Sequence, residues 1–427
     1  MKQPVNIALV DCNNFYVSCE RLFRPDLKNK PVAVLSNNDG CIVARSQEVK
    51  DLGIKMAVPV HQVKHLIEQH NIQIFSSNYP LYADLSARIM HSLTAFSANV
   101  DVYSIDEAFV NLDRHNMNPA ELGLEMKNSL SRWVGIPVGV GIGPTKTLAK
   151  LANYAAKKWP KTGGVVDISD PGRRKKIMQI TPVAEVWGVG RRLSERLNKL
   201  GIHTVWELQS QSIAAIRKHF NITLAHTVQE LQGAPVMPFG EAEKPKQQII
   251  CSRSFKHRLT EQQELAQTLS VFCLRAAEKL RAQQGYAREV TVFIRTSPFD
   301  PLTRYSNSAS YKLKSATQDS RELLKVVRGL LDAIYKAGYQ YQQAGISLGD
   351  IDSRQATPVR QQDLFEKTDS HRGDKLMQTL DQINQRFDKR ISFAASGNKT
   401  LQQSVPINRS SQYTTDWRDL AKVNINI

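Results

Sequence analysis

The chain has 427 residues and a formal net charge of +17 at pH 7, so we expect about two to four domains and a polyanionic partner, with nucleic acid ahead of an anionic membrane. No apolar run approaches the ~20 residues of a membrane-spanning helix, and no signal-peptide cleavage site follows the first apolar stretch, which argues against a spanning or exported protein. The five cysteines lack disulfide or zinc spacing, as is typical of a protein of the reducing cytoplasm.

Short apolar runs and turn residues predict a mixture of strands and helices in the first 170 residues. The predicted strands are Asn6–Val10, Pro31–Leu35, the two arms of a hairpin at Val100–Ser104 and Phe109–Leu112, and Pro137–Ile142. A helix is expected from about Thr145 to Lys158. This order favours an α/β or α+β first domain.

The middle of the chain is basic and has a different pattern. Residues 144–201 contain 13 Lys and Arg but 4 Asp and Glu, which fits polyanion binding and equally fits a solvated surface. Residues 173–233 predict short helices without strands, and the polar stretch Gly240–Gln248 predicts a linker.

Residues 249–350 predict a separate small α/β domain, and a polar tail with weak periodicity begins near Ser353. The domain's predicted strands lie near Ile249–Phe255, Glu289–Arg295 and Gln343–Leu348, and its helices near Glu261–Gln284 and Gln318–Ala337.

Three carboxylates stand at strand ends in the first domain. Asp11 ends the first predicted strand, and Asp106 and Glu107 lie in the turn of the hairpin. If these strands are neighbours, the carboxylates meet at one sheet edge, as a two-metal phosphoryl-transfer site requires. Taken singly, each also fits an ordinary helix cap or turn residue, but their joint apolar context favours the functional interpretation.

The motifs around these carboxylates resemble those of the Y-family DNA polymerases. The resemblance rests first on Asp11–Glu20 and on Ser104–Phe109, which are similar to the two metal-binding motifs of that family. Three further segments are similar to its UmuC-type branch, which includes the catalytic subunit of bacterial DNA polymerase V: Phe23–Leu27, Lys30–Cys41 and Tyr413–Trp417.

The resemblance implies a magnesium site with two ions. It makes Asp11, Asp106 and the backbone carbonyl of Cys12 metal ligands, and it adds Glu107 as the carboxylate nearest the primer 3′-hydroxyl.

The resemblance also implies nucleotide-binding residues. Tyr16 corresponds to the steric gate that leaves no room for a ribose 2′-hydroxyl, with Phe15 packed beside it or simply in the core. Lys157 corresponds to a triphosphate-binding lysine. Lys50 stands where other branches carry an arginine, and it keeps the charge without the bidentate fork.

Two glycine-rich segments have different interpretations. The run from Gly139 to Lys146 is not a P-loop, because Thr145 stands where the pattern needs glycine. Gly188 and Gly190, followed by Arg191 and Arg192, resemble a helix-hairpin-helix that contacts DNA phosphates through backbone N–H groups. Glycines in this pattern alone also fit a helix end.

The predicted fold is an α+β, multidomain right-hand polymerase with five parts. They are a palm of residues 1–11 and 80–170, fingers of 12–79, a helical thumb of 171–240, a little finger of 243–350, and a C-terminal UmuC-type segment of 351–427. The small fingers lead us to expect an open site, and the absence of a second carboxylate set leads us to expect no proofreading. The resemblance implies error-prone translesion synthesis in the SOS response. The alternatives are a non-polymerising checkpoint subunit and a nucleotide cyclase on a similar palm.

The tail predicts a docking peptide. Gln361, Leu364 and Phe365 resemble the motif by which bacterial polymerases bind the sliding clamp, although Leu364 and Phe365 also fit an ordinary apolar pair. The remaining partners implied by the resemblance are primer–template DNA, a deoxynucleoside triphosphate, a UmuD′ dimer and RecA.

Overall fold

The computed structural model describes residues 6–36, 38–112, 117–240, 245–300, 304–353, 370–387, 391–397 and 408–420. The chain forms two compact units: the first comprises residues 1–241 and 406–427, and the second comprises residues 242–405. The predicted linker Gly240–Gln248 falls at this boundary. Within the described ranges, no helix combines the length and apolar character that crossing a bilayer requires.

The first unit mixes short strands with helices, as the sequence predicts. In chain order it contains β1 (Ile7–Cys12), α1 (Phe15–Leu22), β2 (Val32–Leu35), β3 (Ile42–Arg45), α2 (Gln47–Asp51), α3 (Val60–Gln69), β4 (Gln73–Ser76), α4 (Tyr79–Leu93), β5 (Val100–Val102), β6 (Glu107–Asn111), α5 (Pro119–Trp133), β7 (Val138–Gly143), α6 (Lys146–Lys158), β8 (Val165–Asp167), α7 (Pro171–Ile180), α8 (Arg191–Lys199), α9 (Val205–Gln209), α10 (Ile213–His219) and α11 (Ile222–Leu231).

A five-stranded sheet in the order β5-β6-β1-β7-β8 is the centre of this unit. β1 has an antiparallel partner on each side, and it is buried along its whole length because its alternating side chains contribute to two different apolar clusters. The predicted hairpin of β5 and β6 is confirmed, but Glu107 is the first residue of β6 and not a turn residue. In the register of β1 and β6, Asp11 lies opposite Glu107.

The strand and helix predicted around residues 137–158 are confirmed, and their glycines have a packing role. A Cβ atom on Gly141 of β7 would lie 2.1 Å from the backbone nitrogen of Asn153, so glycine allows α6 to lie directly on the sheet. The Thr145 hydroxyl caps α6 by accepting a hydrogen bond from the Leu148 N–H at 3.2 Å. This close packing agrees with the rejection of a P-loop.

Two smaller layers complete the first unit. β3, β2 and β4 form a three-stranded sheet between α1 and α4 in the chain. Residues 173–233 form short helices, as predicted. The buried Glu230 carboxylate on α11 accepts hydrogen bonds at 2.9 Å from the backbone N–H groups of Thr147 and Met237, which ties this helical region to the start of α6.

The second unit contains β9 (Ile249–Leu259), α12 (Gln262–Ala282), β10 (Gly285–Thr296), β11 (Ser306–Thr317), α13 (Ser320–Ile334), β12 (Tyr341–Ser353) and α14 (Ser370–Arg386). Its antiparallel sheet has the order β11-β10-β12-β9, and α12 and α13 share one apolar cluster with it. The three predicted strands and two helices are confirmed.

Sequence analysis missed β11 and α14. β11 is an edge strand whose largely polar residues are mostly exposed, so it lacks an apolar alternation. The weak periodicity of the polar tail did not indicate α14, because this helix is held by tertiary contacts. Arg281 donates two hydrogen bonds, at 2.6 and 2.8 Å, to the Asp381 carboxylate, and Met377 is buried.

Candidate active site

Two carboxylates meet where β1 and β6 lie side by side. Asp11 and Glu107 are direct cross-strand partners, and their side chains share a hydrogen bond. Both are largely buried, with 12% and 18% of their side-chain surfaces exposed. Buried carboxylates need compensating charges or hydrogen bonds, so this pair requires positive partners.

Asp106 joins the same edge through the backbone. The Cys12 N–H donates to the Asp106 carbonyl at 2.9 Å, so the end of β1 is tied to the residue that precedes β6. The Asp106 carboxylate accepts a 2.6 Å hydrogen bond from the Ser104 hydroxyl. Within the described ranges, no three His, Cys, Asp or Glu side chains are gathered closely enough to hold a metal ion as a group. The strand ends therefore converge as expected, while the Asp106 side chain faces Ser104.

Two lysines of α6 supply the positive charge. The Lys157 ammonium forms an ion pair with Asp11, and the Lys150 ammonium lies 2.6 Å from Glu107. Lys150 also lies over the rings of Tyr103 at 4.4 Å and Trp187 at 5.2 Å. Sequence analysis assigned a role on this helix to Lys157 and none to Lys150. The seven-residue spacing of Lys150 and Lys157, two helical turns on one face, was the available signal.

Burial and these neighbours shift the carboxylates in opposite directions. Burial raises the pKa of Asp11 to about 7, against the opposing charge of Lys157. Burial alone would also raise the pKa of Glu107, but the hydrogen bond with Asp11 and the Lys150 ammonium outweigh it and hold that pKa below its usual value. Glu107 is therefore the better anion of the pair.

The segment after β1 contacts Lys50 of α2, one of the predicted nucleotide-binding residues. Asn14 has a φ of 48° before α1 begins, and its side-chain oxygen accepts a 2.6 Å hydrogen bond from the Lys50 ammonium. Burial, with the charges of Arg45 and Lys157, lowers the pKa of Lys50. Lys50 and Lys157 thus place two ammonium groups near the carboxylate pair.

The two adjacent aromatic residues of α1 differ in environment. Phe15 is buried in the core, whereas Tyr16 is partly exposed, with the ring centroids 5.8 Å apart. The Tyr16 ring stacks on Tyr82 of α4 at 4.5 Å and meets the edge of Tyr79 at 6.1 Å. The structure therefore gives Phe15 a packing environment and leaves one side of Tyr16 accessible.

The predicted DNA-contacting turn lies before α8. Gly188 has a φ of 86°, and neither Gly188 nor Gly190 has a neighbour within 4 Å of an added Cβ atom. Arg191 and Arg192 follow in the first turn of α8 and are exposed. A glycine-flanked backbone that a ligand can approach closely, beside exposed arginines, forms a surface suited to an anion.

The predicted clamp-binding residues Gln361, Leu364 and Phe365 lie outside the described residues.

Three protein-family models together match most of the chain. A family model described as the impB/mucB/samB family matches residues 10–154, and the model of that family's C-terminal domain matches residues 246–364. A domain of unknown function, DUF4113, matches residues 374–423.

Individual relatives match over nearly the whole chain. Protein ImpB of Salmonella typhimurium is 44% identical over 423 residues, which span 97% of this chain and 98% of that protein. Protein UmuC of Salmonella typhimurium is 44% identical over 427 residues, at 97% and 99% coverage. DNA polymerase IV of Moorella thermoacetica is 28% identical over 400 residues, at 90% and 94% coverage.

Solved structures agree on the fold. A Y-family DNA polymerase chimera of Dbh and Dpo4 has a TM-score of 0.64 and 23% identity, covering 82% of this chain and 99% of that one. The insertion ternary complex of Dbh DNA polymerase has a TM-score of 0.52 and 21% identity, with the same coverage. These likenesses confirm the predicted α+β right-hand fold.

Proposed function

Because this chain belongs to the impB/mucB/samB family of Y-family DNA polymerases and is a translesion DNA polymerase, we propose that Asp11, Asp106 and Glu107 form its catalytic carboxylate set. The observation that carries the proposal is the Asp11–Glu107 pair across β1 and β6, with a lysine against each member. The register of β1 with β6 and the two lysines support a site that binds metal ions and the negatively charged triphosphate.

The residues at this edge fit a divalent metal. Asp11, Asp106 and Glu107 offer hard oxygen donors of the kind that Mg²⁺ prefers, which supports magnesium as the metal. The number of two ions is proposed from the similarity to Y-family polymerases. Burial raises the pKa of the Cys12 thiol, so the thiol stays protonated and Cys12 would contribute its carbonyl oxygen. When bound, the ions neutralise phosphate charge and stabilise the attacking and leaving oxygens.

The chain's own residues then position the reaction. Glu107, whose pKa is held low, is the anion we place nearest the primer 3′-hydroxyl, which attacks the α-phosphorus as pyrophosphate leaves. Lys157 and Lys50 supply positive charge for the triphosphate, since the ammonium groups that now contact Asp11 and Asn14 are within reach of the same edge.

Tyr16 is proposed as the sugar gate, with Phe15 as its packing neighbour. The phenol ring is stacked on Tyr82 and is partly exposed. Tyr16 lies at the start of α1, shortly after the end of β1 that carries Asp11. A ring fixed in this way excludes a 2′-hydroxyl by volume and does not need a hydrogen bond.

DNA binding is assigned to the turn at Gly188 and Gly190 with Arg191 and Arg192. These contacts would go to phosphates, so they are independent of base sequence, as a polymerase requires. The clamp peptide at Gln361, Leu364 and Phe365, the UmuD′ dimer and RecA are further proposed partners, and they rest on the similarity to UmuC-type proteins.

Primer extension tests the proposal directly. Purified protein with Mg²⁺ is given undamaged and lesion-bearing templates, with and without UmuD′ and RecA. We expect extension past lesions on a primer–template. DNA binding without any extension, under all of these conditions, would instead support a non-polymerising checkpoint subunit.

A further inference from the structure

The C-terminal strap, residues 408–420, is part of the first unit and contacts both α1, which carries Tyr16, and α4, which carries Tyr82. It belongs to the segment matched by the domain of unknown function, and it has no role in the site described above. Its contacts fall at the residue that follows α1, Phe23, and at the residue that precedes α4, Asn78.

The strap is fixed to the start of α4 by hydrogen bonds. The Asn78 side-chain NH2 group donates to three acceptors of the strap, which share its two hydrogens: the Ser410 carbonyl at 3.1 Å, the Ser410 hydroxyl at 2.9 Å and the Ser411 carbonyl at 3.1 Å. Two residues earlier, Ser76 exchanges backbone and hydroxyl hydrogen bonds with Asn408. Asn78 is fully buried, and its own carbonyl accepts from the N–H of Tyr82 at 3.0 Å.

The strap is fixed to the end of α1 by aromatic stacking. Tyr413 lies flat on Phe23, the residue that follows α1, with centroids 4.5 Å apart and an interplanar angle of 11°. A stacked pair of this kind adds stability beyond its buried area. The strap therefore bridges α1 and α4.

A buried carboxyl group links the strap to the gate. Glu20 lies one helical turn after Tyr16, is fully buried, and accepts a 2.6 Å hydrogen bond from the Tyr82 hydroxyl. Burial raises the pKa of Glu20, and the hydroxyls of Tyr82 and Ser410 oppose that shift. The hydroxyl of Tyr82 is thus held by Glu20, while the ring of Tyr82 stacks on Tyr16.

We propose that the C-terminal strap is a positioning element for sugar selection, acting through Asn78, Tyr413 and the Glu20–Tyr82 hydrogen bond to hold the Tyr16 ring in place. This rests on the proposed role of Tyr16 as the sugar gate. The strap touches no reacting atom, so its loss changes the choice between sugars more than the rate with the correct nucleotide.

The test compares incorporation efficiencies for a deoxynucleoside triphosphate and the matching ribonucleoside triphosphate in full-length variants. Tyr413→Ala removes the stack and Asn78→Asp removes the three donated bonds. Each should raise the ribonucleotide share about two- to tenfold, the factor expected for one lost aromatic or hydrogen-bonded contact, with deoxynucleotide efficiency changed less.

Matched controls separate strap position from general damage. Tyr413→Phe keeps the ring and should restore the wild-type ratio. Trp417→Ala alters a side chain of the same strap that is 89% exposed, and should also match wild type. If Tyr413→Ala fails to fold in a thermal melt, Asn78→Asp decides the question.

Tyr16→Ala distinguishes the two levels of the proposal. An altered ratio in Tyr16→Ala with a wild-type ratio in the folded strap variants would overturn the positioning role alone. An unchanged ratio in Tyr16→Ala would overturn the gate itself, and the positioning role with it. Equal loss with both nucleotides in the strap variants would mean that the strap is only structural.

Discussion

The five-stranded sheet of the first unit and the four-stranded sheet of the second place their polar groups in opposite ways. β1 is six residues long and buried throughout, and its carboxylate meets Glu107 and Lys157 at one edge. β11 is twelve residues long and mostly exposed, with Lys312 and Lys314 in solvent. Charge is thus concentrated in a few buried, mutually dependent groups in one sheet and distributed along an open surface in the other.

This difference sets the expected size of mutational effects. Removing one member of a buried set leaves its partners uncompensated, whereas removing one exposed charge weakens a sum of similar small contributions. Changes at the β1–β6 edge should therefore abolish chemistry, and changes on the second sheet should only tune affinity.

Metal removal should produce the largest contrast between the two regions. Chelation with EDTA should stop primer extension by orders of magnitude, and added Mg²⁺ should restore it, because the carboxylate edge depends on bound cations for phosphate neutralisation. Binding to a labelled primer–template, measured by fluorescence anisotropy in the same samples, should change little. Primer extension at an undiminished rate in EDTA would contradict the proposal that catalysis requires a bound metal ion.

Tyr16→Ala should have the next largest effect, and on selectivity in particular. Removing the Tyr16 ring leaves space beside the sugar, so the 2′-hydroxyl of a ribonucleotide is no longer excluded. Ribonucleotide incorporation should therefore rise by about tenfold or more relative to deoxynucleotide incorporation. The ratio of the two incorporation efficiencies is the measurement. Phe15→Leu, which alters the buried neighbour, is the matched control and should leave that ratio near wild type.

A smaller effect is expected from the predicted clamp peptide. Replacing Leu364 and Phe365 with Ala should weaken binding to the sliding clamp by about tenfold, because two apolar anchors are lost from a short peptide. Titration of the clamp against both proteins gives the affinities, and extension without the clamp should persist. Equal clamp affinities would reject docking, and lost clamp-free extension would indicate a structural pair.

The smallest effects should come from the open sheet of the second unit. Lys256→Ala and Lys314→Ala each remove one exposed charge and should weaken DNA binding by a few-fold, with a reduction of about one in the salt-dependence slope if each contacts a phosphate. Affinity measured across several salt concentrations tests this. A loss of catalysis comparable to that of the carboxylate edge would contradict the proposed contrast.

The same contrast explains what the sequence could and could not predict. The apolar runs of β1 and β7, and the carboxylate near the end of β1, were predictable because burial leaves a local signal in the sequence. β11 was missed because its polar residues face solvent and its pairing with β10 is non-local. α14 was missed because its stability depends on the Arg281–Asp381 contact, whose members are 100 residues apart.

Within the site, residue types were easier to predict than side-chain partners. The convergence of Asp11 and Glu107 was expected on the condition that their strands are neighbours, whereas the contact of Lys150 with Glu107 depends on how closely α6 lies on the sheet. The distance between α6 and the sheet is set by Gly141, which leaves room for the α6 backbone. The glycine pattern in the sequence does not show this role, because it does not show that α6 packs there. The strap contacts of Asn78 join residues more than 330 positions apart, and no sequence spacing indicates them.

The most direct test of the carboxylate assignment is single-turnover primer extension by Asp106→Asn protein beside wild type. The substitution keeps size and the hydrogen bond from Ser104 while removing one charge. We predict a rate lower by about a thousandfold, since several kcal/mol of metal-dependent stabilisation is lost, with unchanged thermal stability and DNA affinity. Extension by Asp106→Asn at a near wild-type rate would contradict the account.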